Sequence, residues 1–213
     1  MNSPNLNKVV IMKKTLALVL AILMIVTCFA ACGNTNGDDS SMLYDDPIGI
    51  KIPQENLRGV KKNSFTKFNA VDLDGNKVTE DIFKGKKLTM INIWATFCDP
   101  CISEMPDLNT LHETYADKDV QVIGIVCDVG YAADGYIPSL YESAVDIVEA
   151  TGVTFKNLLP SKSLDMIKLE EVYSVPETLF VDEDGNIVGS SYIGSRSLQD
   201  WQIIVDSVLA SMD

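Results

Sequence analysis

Strands and helices alternate along this chain, and the alternation predicts an α/β sandwich around a mixed sheet. Three observations carry the expectation. Residues 88–94 and 120–126 are predominantly apolar stretches of strand length, as expected for strands buried on both faces. Apolar residues recur at helical spacing in several of the segments between and after them. Asp74-Gly75 and Asp184-Gly185 each separate short alternating runs, where a turn needs a residue that accepts positive φ. With 213 residues and 46% hydrophobic content, the chain can hold one domain of ordinary size and an N-terminal appendage.

Residues 65–79 read as a hairpin, with Asp74-Gly75 at its turn. Residues 88–94 suit the centre of a sheet, and a helix follows from Cys98 to about Ala116 with Leu108, Leu111 and Tyr115 inward. After the strand at 120–126, Ser139-x-x-Glu142 has the form of a capping box. It would open a helix to about Ala150 that turns Leu140, Ala144, Ile147 and Val148 to the core. Residues 154–159 suggest a short extra strand and 163–172 another helix. Strands at 179–181 and 187–192 flank Asp182-Glu183-Asp184-Gly185, and Ser197 caps a last helix carrying Leu198, Trp201, Ile204, Val205 and Val208 at helical spacing.

The chemistry centres on Cys98-Asp99-Pro100-Cys101, two cysteines three apart where a strand passes into a helix. Positions i and i+3 share a helix face, so the sulfurs can meet with little backbone movement. At the helix start, Cys98 faces unpaired N–H groups and the positive end of the helix dipole, which favour its thiolate and make it the expected nucleophile. Cys101, one turn inward, would resolve a mixed disulfide. Pro100 falls in the first turn, where a missing N–H costs nothing. Structural zinc needs four ligands, but the chain has one histidine, His112, which reads as a surface helix residue. Haem attachment needs His after the second cysteine, and Ile102 stands there. A purely structural disulfide across so short a loop would stabilise little. Cys127, ending the second strand, reads as a buried inert thiol on the dithiol's side of the sheet.

The N-terminus suggests export. Met12-Lys13-Lys14 and the apolar residues 16–31 form a charged region and a hydrophobic region, shorter than the about 20 residues of a bilayer span. Phe29-Ala30-Ala31-Cys32-Gly33 resembles a bacterial lipoprotein cleavage site, which would make Cys32 the lipidated N-terminus; the alternative is an uncleaved N-terminal anchor. The expected organisation is a signal peptide over 1–31, with Met12 a possible true start, a flexible tether over 32–60 and a domain over 61–213. Without residues 1–31 the chain has 14 basic and 30 acidic residues. That balance argues against a nucleic-acid partner.

The segment Trp94-Ala95-Thr96-Phe97-Cys98-Asp99-Pro100-Cys101 resembles the active-site segment of the thioredoxin superfamily, and Glu104-Met105-Pro106 continues it. Val175-Pro176-Glu177-Thr178-Leu179-Phe180-Val181-Asp182 resembles the cis-proline loop and its strand. The branch it is most similar to is the TlpA-like, membrane-anchored thioredoxins that include ResA and CcmG proteins, over about residues 61–212. This resemblance implies a thioredoxin-like three-layer α/β/α sandwich with an N-terminal hairpin and a central insertion at 128–172. It implies a thiol-disulfide oxidoreductase that reduces protein disulfides outside the cytoplasm, with the Cys98-Cys101 disulfide as its redox group and no metal or other cofactor. Val175-Pro176 would be cis, or else Pro176 is a trans proline opening an edge strand. In the cis form the Val175 backbone would be free to pair with substrate, with Pro176, Trp94 and Pro100 the other residues expected at the substrate; Trp94 would shield the dithiol, or else serve as a plain core residue.

Where thioredoxins carry a buried aspartate six residues before the first cysteine, this chain has Asn92, which takes no proton. The resemblance passes that task to Glu104, whose alternative is a solvated place in the helix's first turns. Asp99 opposes thiolate formation on Cys98 and leans the couple toward a reductant. Implied partners are protein disulfides, such as those of apocytochrome c or an oxidised methionine sulfoxide reductase, and a membrane thiol-electron donor of the CcdA type. The implied location is the outer face of a bacterial cell membrane, held by a lipid anchor. Two other readings remain: a thiol peroxidase using Cys98, although the Pro-x-x-x-Thr-x-x-Cys frame is absent, and a client-binding lipoprotein whose dithiol is only a latch.

Overall fold

A computed structural model describes residues 44–45, 51–52, 56–131 and 135–212. The expected signal peptide, Cys32 and most of the expected tether lie outside the described residues. Within the segment expected as a tether, Tyr44–Asp45 pairs antiparallel with Lys51–Ile52. Among the described residues no helix is long and apolar enough to cross a membrane.

The elements run β1 (Asn69–Val71), β2 (Lys77–Thr79), β3 (Leu88–Trp94), α1 (Asp99–Thr114), β4 (Val120–Val126), α2 (Pro138–Thr151), β5 (Asn157–Leu158), α3 (Lys162–Ile167), β6 (Glu177–Val181), β7 (Ile187–Ile193) and α4 (Leu198–Met212). Five strands form one sheet in the order β7-β6-β3-β4-β5. β3, β4 and β5 are parallel, while β6 runs antiparallel to both β3 and β7. All seven residues of β3 are buried, which explains its mostly apolar composition at the third of five positions.

Alternation along the strands sorts side chains into two cores. Leu88, Met90 and Trp94 of β3, Val120, Val122 and Val126 of β4 and Phe180 of β6 pack with α1, α2 and α4. Ile91, Ile93, Ile123, Ile125, Leu179 and Val181 point the other way, against the β1-β2 hairpin and α3. Helices therefore lie on both faces, giving the α/β/α sandwich with its mixed sheet. The span between β4 and β6 holds α2, β5, α3 and a small antiparallel ribbon, Gly130–Tyr131 with Gly135–Tyr136.

Three local expectations change. The Ser139/Glu142 box does not cap α2: Ile137 is the N-cap residue and makes no side-chain cap bond, because Pro138 occupies the first turn and places Ser139 inside the helix. The helix expected over 163–172 is two pieces, α3 and a 3₁₀ turn at Leu169–Glu171, parted at Lys168 with φ −150° and ψ −41°. His112 is partly buried rather than a surface residue, and its Nδ1 accepts the Val122 N–H at 3.1 Å, tying α1 to β4.

Candidate active site

β3 delivers the dithiol. Beyond Trp94 the chain makes a tight turn in which the Cys98 N–H donates to the Ala95 carbonyl at 3.1 Å. The Thr96 N–H donates to both Asp128 carboxylate oxygens, at 3.1 and 3.0 Å, and the Thr96 hydroxyl donates to one of them. Parallel pairing of Trp94 with Val126 ends both strands at the same level, so Asp128, just past β4, can reach this turn.

Cys98 is the N-cap residue of α1, and its Sγ accepts the Cys101 N–H at 3.3 Å. That bond aims a backbone donor at the sulfur that would carry negative charge. The two sulfurs are joined, with the Cα atoms 5.3 Å apart. Cys101 is fully buried and Cys98 shows 5% of its surface, so a substrate meets Cys98 first. Asp99 and Pro100 are exposed, and Phe97 is 77% exposed. Trp94, expected at the substrate, is instead wholly buried; its indole N–H donates to Asn157 Oδ1 at 2.9 Å. This bond needs Gly124, because a Cβ there would stand 1.9 Å from that same oxygen.

The Val175-Pro176 peptide is cis. Pro176 precedes β6, which pairs on both sides, so the edge-strand reading falls. Val175 packs against the core cluster that contains Cys98 and Cys101, and the pairing of β6 with β3 starts one residue past Pro176, at Glu177 opposite Ile93.

Glu104 is 3% exposed rather than solvated. Its Oε1 accepts from Asn92 Nδ2 at 3.0 Å, and Asn92 Nδ2 also donates to the Thr178 hydroxyl at 3.1 Å. Its Oε2 accepts the Arg196 N–H at 3.1 Å and the Trp201 indole N–H at 3.2 Å. Burial pushes the carboxyl's pKa above its ordinary value, while these donors and the Arg196 charge pull it back down. Asn92 cannot hold a proton, but it holds the residue that can.

Cys127 stands at the same end of the sheet, its N–H donating to the Trp94 carbonyl at 2.8 Å. Burial, and secondly the Asp128 charge, push its thiol up to about 11, so it stays protonated near neutral pH. No group of three or more His, Cys, Asp or Glu side chains able to hold a metal occurs among the described residues.

Nothing in the sequence alone points to Asp128, Asn157, Thr178 or Arg196 as site residues, and helical spacing marks Trp201 only as a core residue. Each acts on the site through a contact from a distant part of the chain, and local spacing carries no signal of such contacts.

The chain is 28% identical to the thiol-disulfide oxidoreductase ResA of Bacillus thuringiensis subsp. konkukian, over 83% of this chain and 88% of that protein. It is 27% identical to the thiol:disulfide interchange protein DsbE of Vibrio cholerae, over 86% of each. Among solved structures, a thioredoxin family thiol:disulfide interchange protein from Chlorobium tepidum superposes with a TM-score of 0.56 at 22% identity, covering 70% of this chain and 97% of that one. The likeness in structure shows the thioredoxin fold. Residues 62–190, which span the hairpin, the dithiol and the cis-proline strand, match the AhpC/TSA family, and the chain belongs to that family.

Proposed function

We propose that this protein is a thiol-disulfide oxidoreductase that reduces protein disulfides through Cys98 and Cys101. The observation that supports it most is Cys98 as a barely exposed N-cap whose sulfur is joined to Cys101 and accepts its N–H. In the reduced protein the Cys98 thiolate attacks one sulfur of a substrate disulfide. An S–S bond forms to Cys98, and the substrate's other sulfur leaves as a thiolate. Cys101, deprotonated toward Glu104, then attacks Cys98 Sγ and releases the second substrate thiol. Two electrons pass to the substrate, and the Cys98-Cys101 disulfide remains. A dithiol donor at the membrane, of the CcdA type, returns the electrons.

Val175, with Pro176 beside it, offers backbone for an extended substrate segment, and Pro100 borders the approach to Cys98. Trp94 supports the dithiol from below. Residues 1–31 serve as a lipoprotein signal peptide, Cys32 carries the lipid and residues 32–60 tether the domain of 61–213 outside the cell membrane. Apocytochrome c or an oxidised methionine sulfoxide reductase are clients of the right chemistry.

Turnover of an insulin disulfide with a chemical reductant, set beside peroxide consumption, tests the activity. Disulfide turnover lost in Cys98→Ala is expected; peroxide consumption without disulfide turnover would refute the proposal. Trapping with Cys101→Ala names the client, and release of the protein from the membrane in Cys32→Ala tests the anchor.

A further inference from the structure

Between β7 and α4 the chain runs as a strap whose alternate N–H groups point inward. Gly194 donates to the Pro176 carbonyl at 2.9 Å, Arg196 to Glu104 Oε2 at 3.1 Å and Leu198 to Asp107 Oδ2 at 3.0 Å. One short segment thus bonds the cis-proline loop, the buried carboxylate and the next turn of α1. The Arg196 side chain folds back over the strap. Its Nη1 donates to the Gly194 carbonyl at 2.7 Å and to Ile193 at 3.4 Å. Its guanidinium carbon lies 5.2 Å from the Tyr192 ring and 5.1 Å from the Trp201 ring, the ring whose N–H meets Glu104.

The surroundings of Glu104 leave this residue in control. β3 presents Asn92 and β6 presents Thr178, both neutral. Glu177 belongs to the opposite face, where Lys168 meets it. On α1, Cys101 stands three residues before Glu104, and the Asp107 carboxylate is turned to the Leu198 N–H. On α4, Asp200 bonds to Ser197, and Trp201 contributes only its N–H. Among the described residues, Arg196 is the cation that acts on this carboxylate.

We propose that Arg196 is a positioning residue. Its guanidinium clamps the strap and the Trp201 ring so that both N–H groups aim at Glu104 Oε2, and it thereby holds Glu104 as a carboxylate able to take a proton. The inference rests on the reading of Glu104 as the proton acceptor for Cys101. Charge alone is not the device, because carbonyl bonds and ring faces call for a planar fork that lysine lacks.

The test is a site-resolved carbon-13 titration of the Glu104 carboxyl in the reduced protein, assigned with Glu104→Gln, alongside disulfide-exchange rates from pH 5 to 9. In Arg196→Ala the Glu104 midpoint should rise by about one pH unit, and in Arg196→Lys it should rise in the same direction by less. The acid limb of the exchange profile should move with it. A Glu104 titration unmoved in both variants overturns the inference, as does a lysine variant identical to wild type beside a shifted alanine variant, which would reduce Arg196 to its charge. A midpoint that moves while exchange rates do not upholds the clamp and refutes the proton role of Glu104 instead. Should Arg196→Ala not fold, the lysine variant carries the same titration.

Discussion

Glu104 and Glu177 are buried alike, each 3% exposed, on opposite faces of the same sheet. Their neighbours differ. Glu177 meets the Lys168 ammonium at 2.6 Å, with the lysine side chain only 13% exposed. Glu104 is held by two side-chain N–H groups and one backbone N–H, with Arg196 the cation that acts on it among the described residues. The Glu177–Lys168 pair fastens the foot of β6 to the break after α3. A buried carboxylate held by neutral donors keeps the option of a proton. Burial is common to both, so the partner separates a strut from a candidate acid.

The largest effect that would break this contrast is on stability. Lys168→Met leaves Glu177 buried without its cation and should cost about 3 kcal/mol in urea unfolding, with exchange per folded molecule unchanged. A cost under about 1 kcal/mol would place the two carboxylates in one class. The next effect is kinetic. Glu104→Gln can keep its contacts, since the Asn92 amide can turn over and the Thr178 hydroxyl can donate. It should nonetheless slow resolution near neutral pH by roughly a hundredfold and flatten the pH profile in stopped-flow exchange; superimposable profiles would leave the proton to water.

A smaller, thermodynamic difference sharpens the same point. The folded-state pKa of Glu104 is raised above its ordinary value of 4.5, so the native state keeps this proton longer than the unfolded chain does. Its contribution to stability is full below that value and is lost as pH rises through the folded pKa. Wild type should therefore lose stability relative to Glu104→Gln between pH 4 and 8, read from urea midpoints at each pH. His112 has the opposite sign: burial lowers its pKa from 6.5, so its contribution is present above that value and lost as pH falls. The smallest effect belongs to Cys127→Ser, which should leave both carboxylates and the exchange rate unchanged within about twofold, because a thiol pushed up to about 11 takes no part near neutral pH. A larger loss of exchange would draw Cys127 into the site.

What could be read in advance follows from the range of each interaction. β3 and β4 are mostly apolar because both faces of each are covered, and the sequence expectation met their observed limits. The dithiol was legible because N-cap, proline and both sulfurs lie within four residues. Misreadings arose where local rules competed, as at Pro138, which takes the first turn of α2 ahead of the apparent box at Ser139. Glu104 was singled out, but its environment was not. Asn92, Arg196 and Trp201 converge on it from β3, the strap after β7 and α4, 12 to 97 residues away along the chain. The same limit hid Asp128, which holds Thr96 from across the parallel strand pair.

The antiparallel seat of β6 beside β3 also bears on how the molecule is made. Glu177 lies opposite Ile93, and the whole span carrying α1, α2 and α3 must be synthesised before that pairing can form. The two sulfurs, by contrast, are three residues apart and can join in any short emerging stretch of chain. A chain leaving the ribosome or a translocon therefore possesses its redox couple long before the strap, the buried acid and the proline loop arrive to govern it. Such pairings of high sequence separation close late and slowly. Until then the dithiol reacts as an ordinary local pair, and its selectivity is acquired only in the last steps of folding.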